Sequence, residues 1–243
     1  MSSFGILDKF SINNLDSWLQ TSLANGGIAL IDKEKSWTSF DACAKLKGIT
    51  RIPKVGHAGT LDPLATGLLI ICFGKATKSI SIFQDYKKSY FARIKLGATT
   101  RTLDAELEEE NICDISNLKE EEIYQFEKKY RGEMSQMPPI FSSKKINGKR
   151  LYKYARNNEE VQPKPSIINI YDLSIKKIEL PFVDVEIECS KGTYVRSIAR
   201  DIGIDLGVGA YLADLRRTAI GEYKADNAIK ISEIQEQIKN PNI

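Results

Sequence analysis

The residue whose setting most favours chemistry is Asp62, which lies in the stretch VGHAGTLDPLATGLLIICFGKATK, residues 55–78. Glycines at positions 56, 59 and 67 flank it and favour tight turns or the close approach of another molecule. Pro63 fixes its own φ and biases Asp62 towards an extended conformation. The apolar run Leu68–Phe73 predicts a buried strand after this loop. Asp62 is therefore expected on a rigid loop, as either a loop cap or a reactive carboxylate.

The glycines around Asp62 do not form a nucleotide-binding motif. A phosphate-binding loop requires G-x-x-x-x-G-K-[ST], but Gly74-Lys75 is followed by Ala76, and Leu69 occupies the upstream glycine position. The spacing does not supply a dinucleotide G-x-G-x-x-G fingerprint either. His57 is the only histidine, and the chain has no G-x-S-x-G elbow, which argues against a Ser-His-Asp hydrolase. Carboxylates, tyrosines and arginines remain as candidates for chemistry.

The composition is typical of a soluble globular protein, with 243 residues, 42% hydrophobic and 28% charged. The net charge of +3 does not by itself indicate nucleic acid. The four cysteines form no C-x-x-C pair, so we expect free thiols in a reducing compartment and no zinc site. No apolar run approaches the roughly 18 residues that span a bilayer, and no secretory signal is present. These features predict a cytoplasmic protein without a membrane anchor.

Predicted strands and a helix around the Asp62 loop carry further candidate functional residues. Residues 27–32 read as a strand that ends just before Lys33, and Ser39 is expected to cap a helix that continues to about Lys47. Lys33 is either a solvated surface charge or a phosphate contact. Residues 90–96 alternate as a half-buried strand, in which Tyr90 can be simply a packed aromatic.

The second half of the chain adds a basic segment and a strand–helix unit. From Gln136 to Arg156, cations alternate with aromatic residues, which suits a polyanion with exposed bases but also fits a basic surface over core tyrosines. Residues 167–180 and 182–189 predict two strands of a hairpin that leads into a helix. Tyr194 and Arg196 fall at the start of that helix, where a structural tyrosine and a surface arginine are the alternatives to a functional role.

Several of these segments resemble, in the same order, the motifs of the TruB-type tRNA pseudouridine synthases. The central match is GHAGTLDPLATGLL, residues 56–69. The other matching segments are GGIALIDKEKSWTSFD (26–41), QMPPIFSSKKINGKRLYKYAR (136–156), KGTYVRS (191–197) and YLADLRRT (211–218). The chain departs from the family pattern at Glu34, Ser36 and Arg101, where the family usually has proline, glycine and an acid. The resemblance covers roughly residues 27 to 235.

The resemblance implies an α+β protein with the pseudouridine-synthase fold, a mixed and mostly antiparallel sheet with flanking helices and a central catalytic cleft. It implies an N-terminal extension over residues 1–26, a catalytic domain over 27–218 and a short C-terminal segment over 219–243 without a PUA module. That organisation favours the stand-alone bacterial type, which acts without a guide RNA.

The resemblance also implies roles for individual residues. Asp62 would be the catalytic residue, Arg196 would pair with it, and Tyr90 would stack on the target base and help to remove its proton. The other residues implied to contact the RNA are Tyr194 and Leu215 as pocket walls, Lys33 as a phosphate contact, and His57. His57 would be the wedge that takes the place of the flipped base or steadies the rearranged RNA loop.

The implied reaction converts the uridine at position 55 in the T-loop of tRNA to pseudouridine. The base would be flipped out, the glycosidic bond to nitrogen 1 would break, and a bond to carbon 5 would form. No metal or organic cofactor is expected, the partner is the tRNA T-arm, and the protein is expected to be a monomer. Two alternatives remain open: a synthase for another RNA, and a non-catalytic protein that binds or folds tRNA.

Overall fold

The computed structural model describes residues 4–157 and 159–240 of the chain. The strands found in these residues are β1 (Gly5–Leu7), β2 (Gly27–Lys33), β3 (Val55–His57), β4 (Thr66–Phe73), β5 (Lys88–Leu96), β6 (Gly132–Gln136), β7 (Lys145–Ile146), β8 (Lys149–Arg150), β9 (Ser166–Glu179), β10 (Phe182–Cys189), β11 (Ala210–Ile220) and β12 (Tyr223–Lys224). The α-helices are α1 (Leu15–Asn25), α2 (Ser39–Thr50), α3 (Ile80–Asp85), α4 (Glu120–Lys129), α5 (Leu151–Arg156), α6 (Val195–Asp205) and α7 (Ile231–Lys239).

The chain folds into two compact units. Of the described residues, the first unit contains those up to Ser89 and those from Arg216 onwards, and the second unit contains those from Tyr90 to Leu215. The chain therefore leaves the first unit within β5 and returns to it within β11. The division predicted from the sequence, at residues 26 and 218, stays a prediction.

Strand β4 lies at the centre of the first unit. It pairs antiparallel with β2 and β3, and parallel with the end of β11. The residues Leu68–Phe73 of this strand are all completely buried, which confirms the buried strand predicted after Asp62. Because β3 and β4 flank the Asp62 loop, the ends of that loop are anchored in the core of the unit.

The N-terminal residues of the first unit pack onto the same core. Strand β1 runs parallel to β2, with Gly5 opposite Gly27. Trp18 of α1 lies edge-on to Phe73, with the ring centroids 5.2 Å apart, and its indole N–H donates to the carbonyl oxygen of Gly5 at 3.0 Å. The indole thus has both an apolar neighbour and a hydrogen-bond partner, as a buried tryptophan requires.

Helix α2 begins one residue earlier than the sequence pattern predicted. Thr38 is its N-cap: its hydroxyl accepts the N–H of Asp41 at 3.0 Å, and the Asp41 carboxylate accepts the N–H of Thr38 at 3.0 Å. The prediction that Ser39 caps the helix is wrong, because Ser39 already lies in the first helical turn and is buried. Its hydroxyl is consequently available for a contact elsewhere.

The second unit is built on strands in the order β5-β10-β9-β6. The hairpin predicted from residues 167–189 is confirmed as β9 and β10, which pair antiparallel. Residues from these strands and from α4 and α6 line one apolar interior, among them Ile94, Phe126, Leu173, Val185 and Ile202. The sheet thereby supports α6, which begins just after Tyr194.

The strand pairings identify the fold class. β1 with β2 and β4 with β11 are parallel, whereas β2 with β4, β3 with β4, β9 with β10 and β6 with β9 are antiparallel. Helices accompany the sheet in each unit, so the predicted α+β class with mixed, mostly antiparallel pairing is confirmed. Across residues 4–157 and 159–240, no helix is long and apolar enough to cross a membrane.

Candidate active site

Asp62 lies on a short loop between β3 and β4 and is half-buried. Its carbonyl oxygen accepts the N–H of Ala65 at 3.1 Å, which closes a turn over Pro63 and Leu64. Gly59, on the other side, has φ of +111°, a conformation that side-chain-bearing residues rarely adopt. The loop therefore bends tightly on both sides of the carboxylate.

Lys33, at the end of β2, is 1% exposed. Its ammonium donates to the carbonyl oxygens of Glu34, Trp37 and Pro63 at 3.0, 2.7 and 3.3 Å. An ammonium has three N–H donors, so these bonds satisfy it completely. The surface-charge alternative for Lys33 is wrong, while the phosphate contact stays a prediction. Because Pro63 follows Asp62 directly, the hydrogen bond from Lys33 to Pro63 also fixes the Asp62 loop.

Burial and nearby carboxylates shift the pKa of Lys33 in opposite directions. Burial lowers the pKa of Lys33 from 10.5 to about 8, and the negative charge of Asp62 opposes that decrease. Arg217 lowers the pKa of Lys33 further, and Asp41 raises it. The ammonium is therefore close enough to Asp62 for the two charges to act on each other.

Arg217 is a second buried cation beside the loop, and it was not predicted from the sequence. It lies on β11, is 1% exposed, and donates through Nε to the carbonyl oxygen of Leu68 at 2.7 Å and through Nη2 to that of Gly59 at 3.2 Å. The strand comes this close because position 67 is glycine: a Cβ there would lie 2.3 Å from the carbonyl oxygen of Arg217. Alternation along β11, which puts residue 217 on the same face as Leu215, was the available signal.

Ser39 holds the middle of the loop. Its hydroxyl accepts the N–H of Leu61 at 2.8 Å and donates to the carbonyl oxygen of the same residue at 3.2 Å. Ser39 is 2% exposed, so the contact is shielded from water. Together with Lys33 and Arg217, it fixes peptide groups on both sides of Asp62.

Ser36 explains one departure from the family pattern. Its N–H donates to the carbonyl oxygen of Pro63 at 2.8 Å, the oxygen that also accepts from Lys33. To reach it, Ser36 adopts φ of +70°, in the left-handed region. Glycine, which the family usually has here, adopts that region at little cost, so the loop keeps its path with a strained serine.

His57 is the last residue of β3 and pairs with Ile71 of β4. It is half-buried and lies in the same unit as Asp62. The strand pairing fixes its backbone at the entrance to the loop. Its expected task as a wedge in the RNA stays a prediction.

Arg196, in the first turn of α6, is 4% exposed, so the surface-arginine alternative is wrong. Its guanidinium donates to the carbonyl oxygens of Thr102 at 2.8 Å and Phe141 at 2.9 Å. It also lies 3.3 Å from the carboxylate of Asp104, which is itself buried. Asp104 was not singled out from the sequence, although it lies three residues after Arg101, one of the positions at which the chain departs from the family pattern.

Tyr194, half-buried, occupies the N-cap position of α6 and is oriented by Gln136. The Gln136 side chain accepts the N–H of Tyr194 at 2.8 Å and donates to its carbonyl oxygen at 3.1 Å. Gln136 is 2% exposed, and no local sequence signal predicted this paired contact.

Tyr90 and Leu215 lie on the two strands by which the chain passes between units. Tyr90 is half-buried on β5, and Leu215, on β11, is 9% exposed. The first unit thus contains Asp62, His57 and Lys33, and the second contains Tyr90, Tyr194, Arg196 and Leu215. The pairing of Arg196 with Asp62 stays a prediction.

The sequence that builds this site matches the models of a known family. Residues 47–195, more than half of the chain, match the family model described as TruB family pseudouridylate synthase (N terminal domain). The chain belongs to the TruB family. Residues 196–241 match the model of the tRNA pseudouridylate synthase B C-terminal domain. The TruB models therefore include Asp62, Tyr90 and Tyr194 in the first and Arg196 and Leu215 in the second.

Curated TruB relatives are similar over most of this chain. A protein of Chlorobium chlorochromatii (strain CaD3), named tRNA pseudouridine synthase B, is 46% identical over 220 residues, which are 88% of this chain and 86% of that protein. Proteins with the same name from Chloroherpeton thalassium and Flavobacterium johnsoniae are 44% and 43% identical, again over 88% of this chain and over 91% and 96% of their own lengths. TruB proteins are pseudouridine synthases and thus isomerases, which confirms the predicted enzyme class.

Solved structures show the same fold. A chain in a Cbf5-Nop10-Gar1 complex superposes with a TM-score of 0.71 at 27% identity, over 93% of this chain and 59% of that chain. A chain in an H/ACA RNP bound to a substrate RNA containing 2'-deoxyuridine superposes with a TM-score of 0.69 at 25% identity, over 93% and 58%. This TruB chain spans less than two thirds of either, and the shared part confirms the pseudouridine-synthase fold.

Proposed function

We propose that this chain converts uridine 55 in the T-loop of tRNA to pseudouridine, with Asp62 as the catalytic carboxylate. The observation that most directly supports this proposal is the fixed loop, in which Lys33, Ser39 and Arg217 bind peptide groups on both sides of Asp62. A carboxylate held in one position needs little reorganisation when it reacts. The relatives named tRNA pseudouridine synthase B support tRNA as the substrate class.

The reaction is an isomerisation and conserves all atoms and electrons. The bond from ribose carbon 1′ to nitrogen 1 breaks, the uracil turns, and carbon 1′ bonds to carbon 5. Carbon 5 then loses its proton, and nitrogen 1 carries one in the product. Asp62 acts in its ionised form, either as a nucleophile towards the sugar or base, or as a base. No oxidant, reductant or organic cofactor is needed.

The target base must leave the T-loop stack, which costs a few kcal/mol. We assign His57, at the entrance to the Asp62 loop, to the wedge that fills the vacated space. Tyr90 stacks on the flipped uracil and assists proton removal from carbon 5. Tyr194 and Leu215 form walls of the base pocket, and Arg196 holds the orientation of Asp62 through its guanidinium.

The basic segment over residues 136–156 contributes phosphate contacts. Two of its cations bind oxygen atoms of the protein: Lys144 donates to the Lys164 carbonyl oxygen and the Ser166 hydroxyl at 3.0 and 2.7 Å, and Lys149 contacts Glu159 at 2.6 Å. The exposed cations of the segment are Lys145, Arg150, Lys153 and Arg156. Lys145 and Arg150 face each other across β7 and β8, so the short hairpin presents two charges together. We assign the tRNA contacts to the exposed cations.

Tritium release from a tRNA transcript labelled at carbon 5 of uridine tests the proposal without a guide RNA present. We expect wild type to release one equivalent, Asp62→Asn to release none, and Asp16→Asn, a change of an exposed carboxylate on α1, to behave as wild type. Release that depends on a different RNA would identify another substrate. No release from wild type, with tRNA binding intact, would indicate a non-catalytic binding protein and overturn the proposal.

A further inference from the structure

Helix α2 has an outward face that combines an aromatic residue with cations. Residues at spacings of three and four share one side of a helix. On α2 the exposed residues at these spacings are Phe40, Ala44, Lys47 and Gly48, and the exposed Arg51 is the C-cap residue that follows the helix. Two further exposed cations, Lys45 and Lys54, lie at the edge and just beyond the C-terminal end. We call these seven residues the α2 face.

Phe40 is 76% exposed, at the start of the helix. Such a ring contributes little to the stability of the folded chain, because most of its apolar surface is still in water. A partner that covers the ring would gain that burial, and a flat π-face suits the stacking of a nucleic-acid base.

The cations of the α2 face have no carboxylate partner among the residues that the structure describes. In the described parts of the chain, Lys45, Lys47, Arg51 and Lys54 form no ion pair. The one carboxylate of α2, Asp41, lies in the first turn and is bound to Thr38 in the capping contact. Ala44 is small, and no atom lies within 4 Å of a Cβ built on Gly48, so a phosphate backbone can approach the helix closely. The charge and the shape both suit an extended polyanion.

The helix that carries the α2 face is hydrogen-bonded to the Asp62 loop. Ser39 precedes Phe40 and is hydrogen-bonded to both the N–H and the carbonyl oxygen of Leu61, the residue before Asp62. Phe40 follows Ser39 and Asp62 follows Leu61, so each lies one residue, about 3.8 Å along the chain, from the hydrogen-bonded pair Ser39 and Leu61. This short connection places Phe40 beside the loop that carries Asp62.

We propose that the α2 face docks the substrate RNA: Phe40 stacks on an unpaired base near the target uridine, and Lys47, Arg51 and their neighbouring lysines bind the adjoining phosphates. This inference rests on the proposed function, since it requires an RNA substrate at Asp62. It assigns a binding surface and a substrate-positioning aromatic residue in addition to the basic segment at residues 136–156.

Phe40 variants test the stacking contact. Phe40→Ala should weaken tRNA binding and raise KM roughly tenfold, with the single-turnover rate at saturating tRNA and the melting temperature unchanged. Phe40→Trp should restore binding, and its added indole fluorescence should be quenched when tRNA is bound. The control is Phe10, which is 71% exposed in the same unit: Phe10→Ala should leave KM unchanged, and Phe10→Trp should not be quenched.

Charge reversal tests the phosphate contacts. The double variant Lys47→Glu, Arg51→Glu should weaken tRNA binding and reduce the slope of log affinity against log salt concentration by about 0.7–0.9 for each phosphate that the variant no longer neutralises. Lys9→Glu with Lys224→Glu, exposed cations elsewhere in the first unit, should change the slope much less.

The inference is overturned if Phe40→Ala leaves KM unchanged, if Phe10→Ala has the same effect, or if the double reversal leaves the salt slope as in wild type. Weakened binding of a protein, with tRNA binding intact, would identify a protein partner and also overturn it. Binding is measured independently of tritium release, so a wild-type protein that binds through the α2 face but releases no tritium would refute the proposed reaction and not this surface.

Discussion

The Lys33 ammonium donates a hydrogen bond to the carbonyl oxygen of Pro63, the residue that follows Asp62. The donor lies at the end of β2 and the acceptor on the loop that enters β4, so the bond connects two elements of one sheet beside the candidate catalytic carboxylate. The same ammonium also bonds the carbonyl oxygens of Glu34 and Trp37, which ties the loop before α2 to the Asp62 loop. Asp62 is therefore held in part by a charged side chain that is only 1% exposed.

Replacement of Lys33 by methionine should lower the single-turnover rate by about ten- to a hundredfold, because a small displacement of a reacting group costs that much. The three carbonyl oxygens lose their donor, and the Asp62 loop loses one of its anchors. The measurement is tritium release at saturating tRNA, with binding followed separately. Lys224→Met, at an exposed position, should keep the wild-type rate. An unchanged rate in Lys33→Met would show that the other anchors suffice.

The pH dependence of the rate should reveal the same lysine. Burial lowers the pKa of Lys33 to about 8, so above that pH the ammonium loses its charge and one of its donors. We expect the wild-type rate to fall as the pH rises through about 8, and we expect no such fall in Lys33→Met. A limb near pH 8 that persists in Lys33→Met would belong to another group.

Stability should change in the opposite direction over the same range. The pKa of Lys33 is about 8 in the folded chain and 10.5 as an unperturbed lysine. Between these values the unfolded chain binds the proton that the folded chain has released, so a higher pH favours folding. The free energy of unfolding of wild type relative to Lys33→Met should therefore rise from about pH 8 to 10.5. Chemical denaturation across this range measures it, and a constant difference would contradict the assignment.

Replacement of Asp104 by asparagine should reduce the rate by removing the buried negative charge beside Arg196. The guanidinium keeps its bonds to Thr102 and Phe141, so we expect a correctly folded protein with a free energy of unfolding lower by about 1.5–3 kcal/mol. Asp172→Asn is the matched control, because Asp172 pairs with Arg131 at the surface and should change stability by less than about 1 kcal/mol. Equal rates for Asp104→Asn and wild type would exclude a positioning role for Asp104.

Replacement of Ser36 by glycine should stabilise the protein by up to about 1 kcal/mol, since the relief of left-handed strain exceeds the extra entropy of the unfolded glycine. The strained residue is the one that donates to Pro63, so the rate should be unchanged or slightly higher. Ser143→Gly, at an exposed residue outside the left-handed region, should destabilise or have no effect. Thermal unfolding of the two variants distinguishes these outcomes, and a lower melting temperature for Ser36→Gly would contradict the strain argument.

The features that could be predicted from the sequence are those that depend on neighbouring residues. The buried strand over Leu68–Phe73 and the hairpin at residues 167–189 follow from apolar runs and alternation, which are local properties of the chain. Asp62 stood out because its motif is long and contiguous, and the TruB match confirms the family to which that motif pointed. The start of α2 was displaced by one residue because threonine and serine are both good caps, and only the backbone conformation distinguishes them.

The tertiary structure alone decided which charges are buried and what they hold. Arg217 binds the carbonyl oxygen of Leu68 across 149 residues of sequence, and Arg196 binds that of Thr102 across 94. The acceptors are backbone carbonyls, which every residue carries, so no residue type marks them in advance. By itself, the sequence determined the family, the fold class and the candidate carboxylate. The folded chain decided how that carboxylate is held, because buried cations must find acceptors, and these acceptors come together only when distant segments pack.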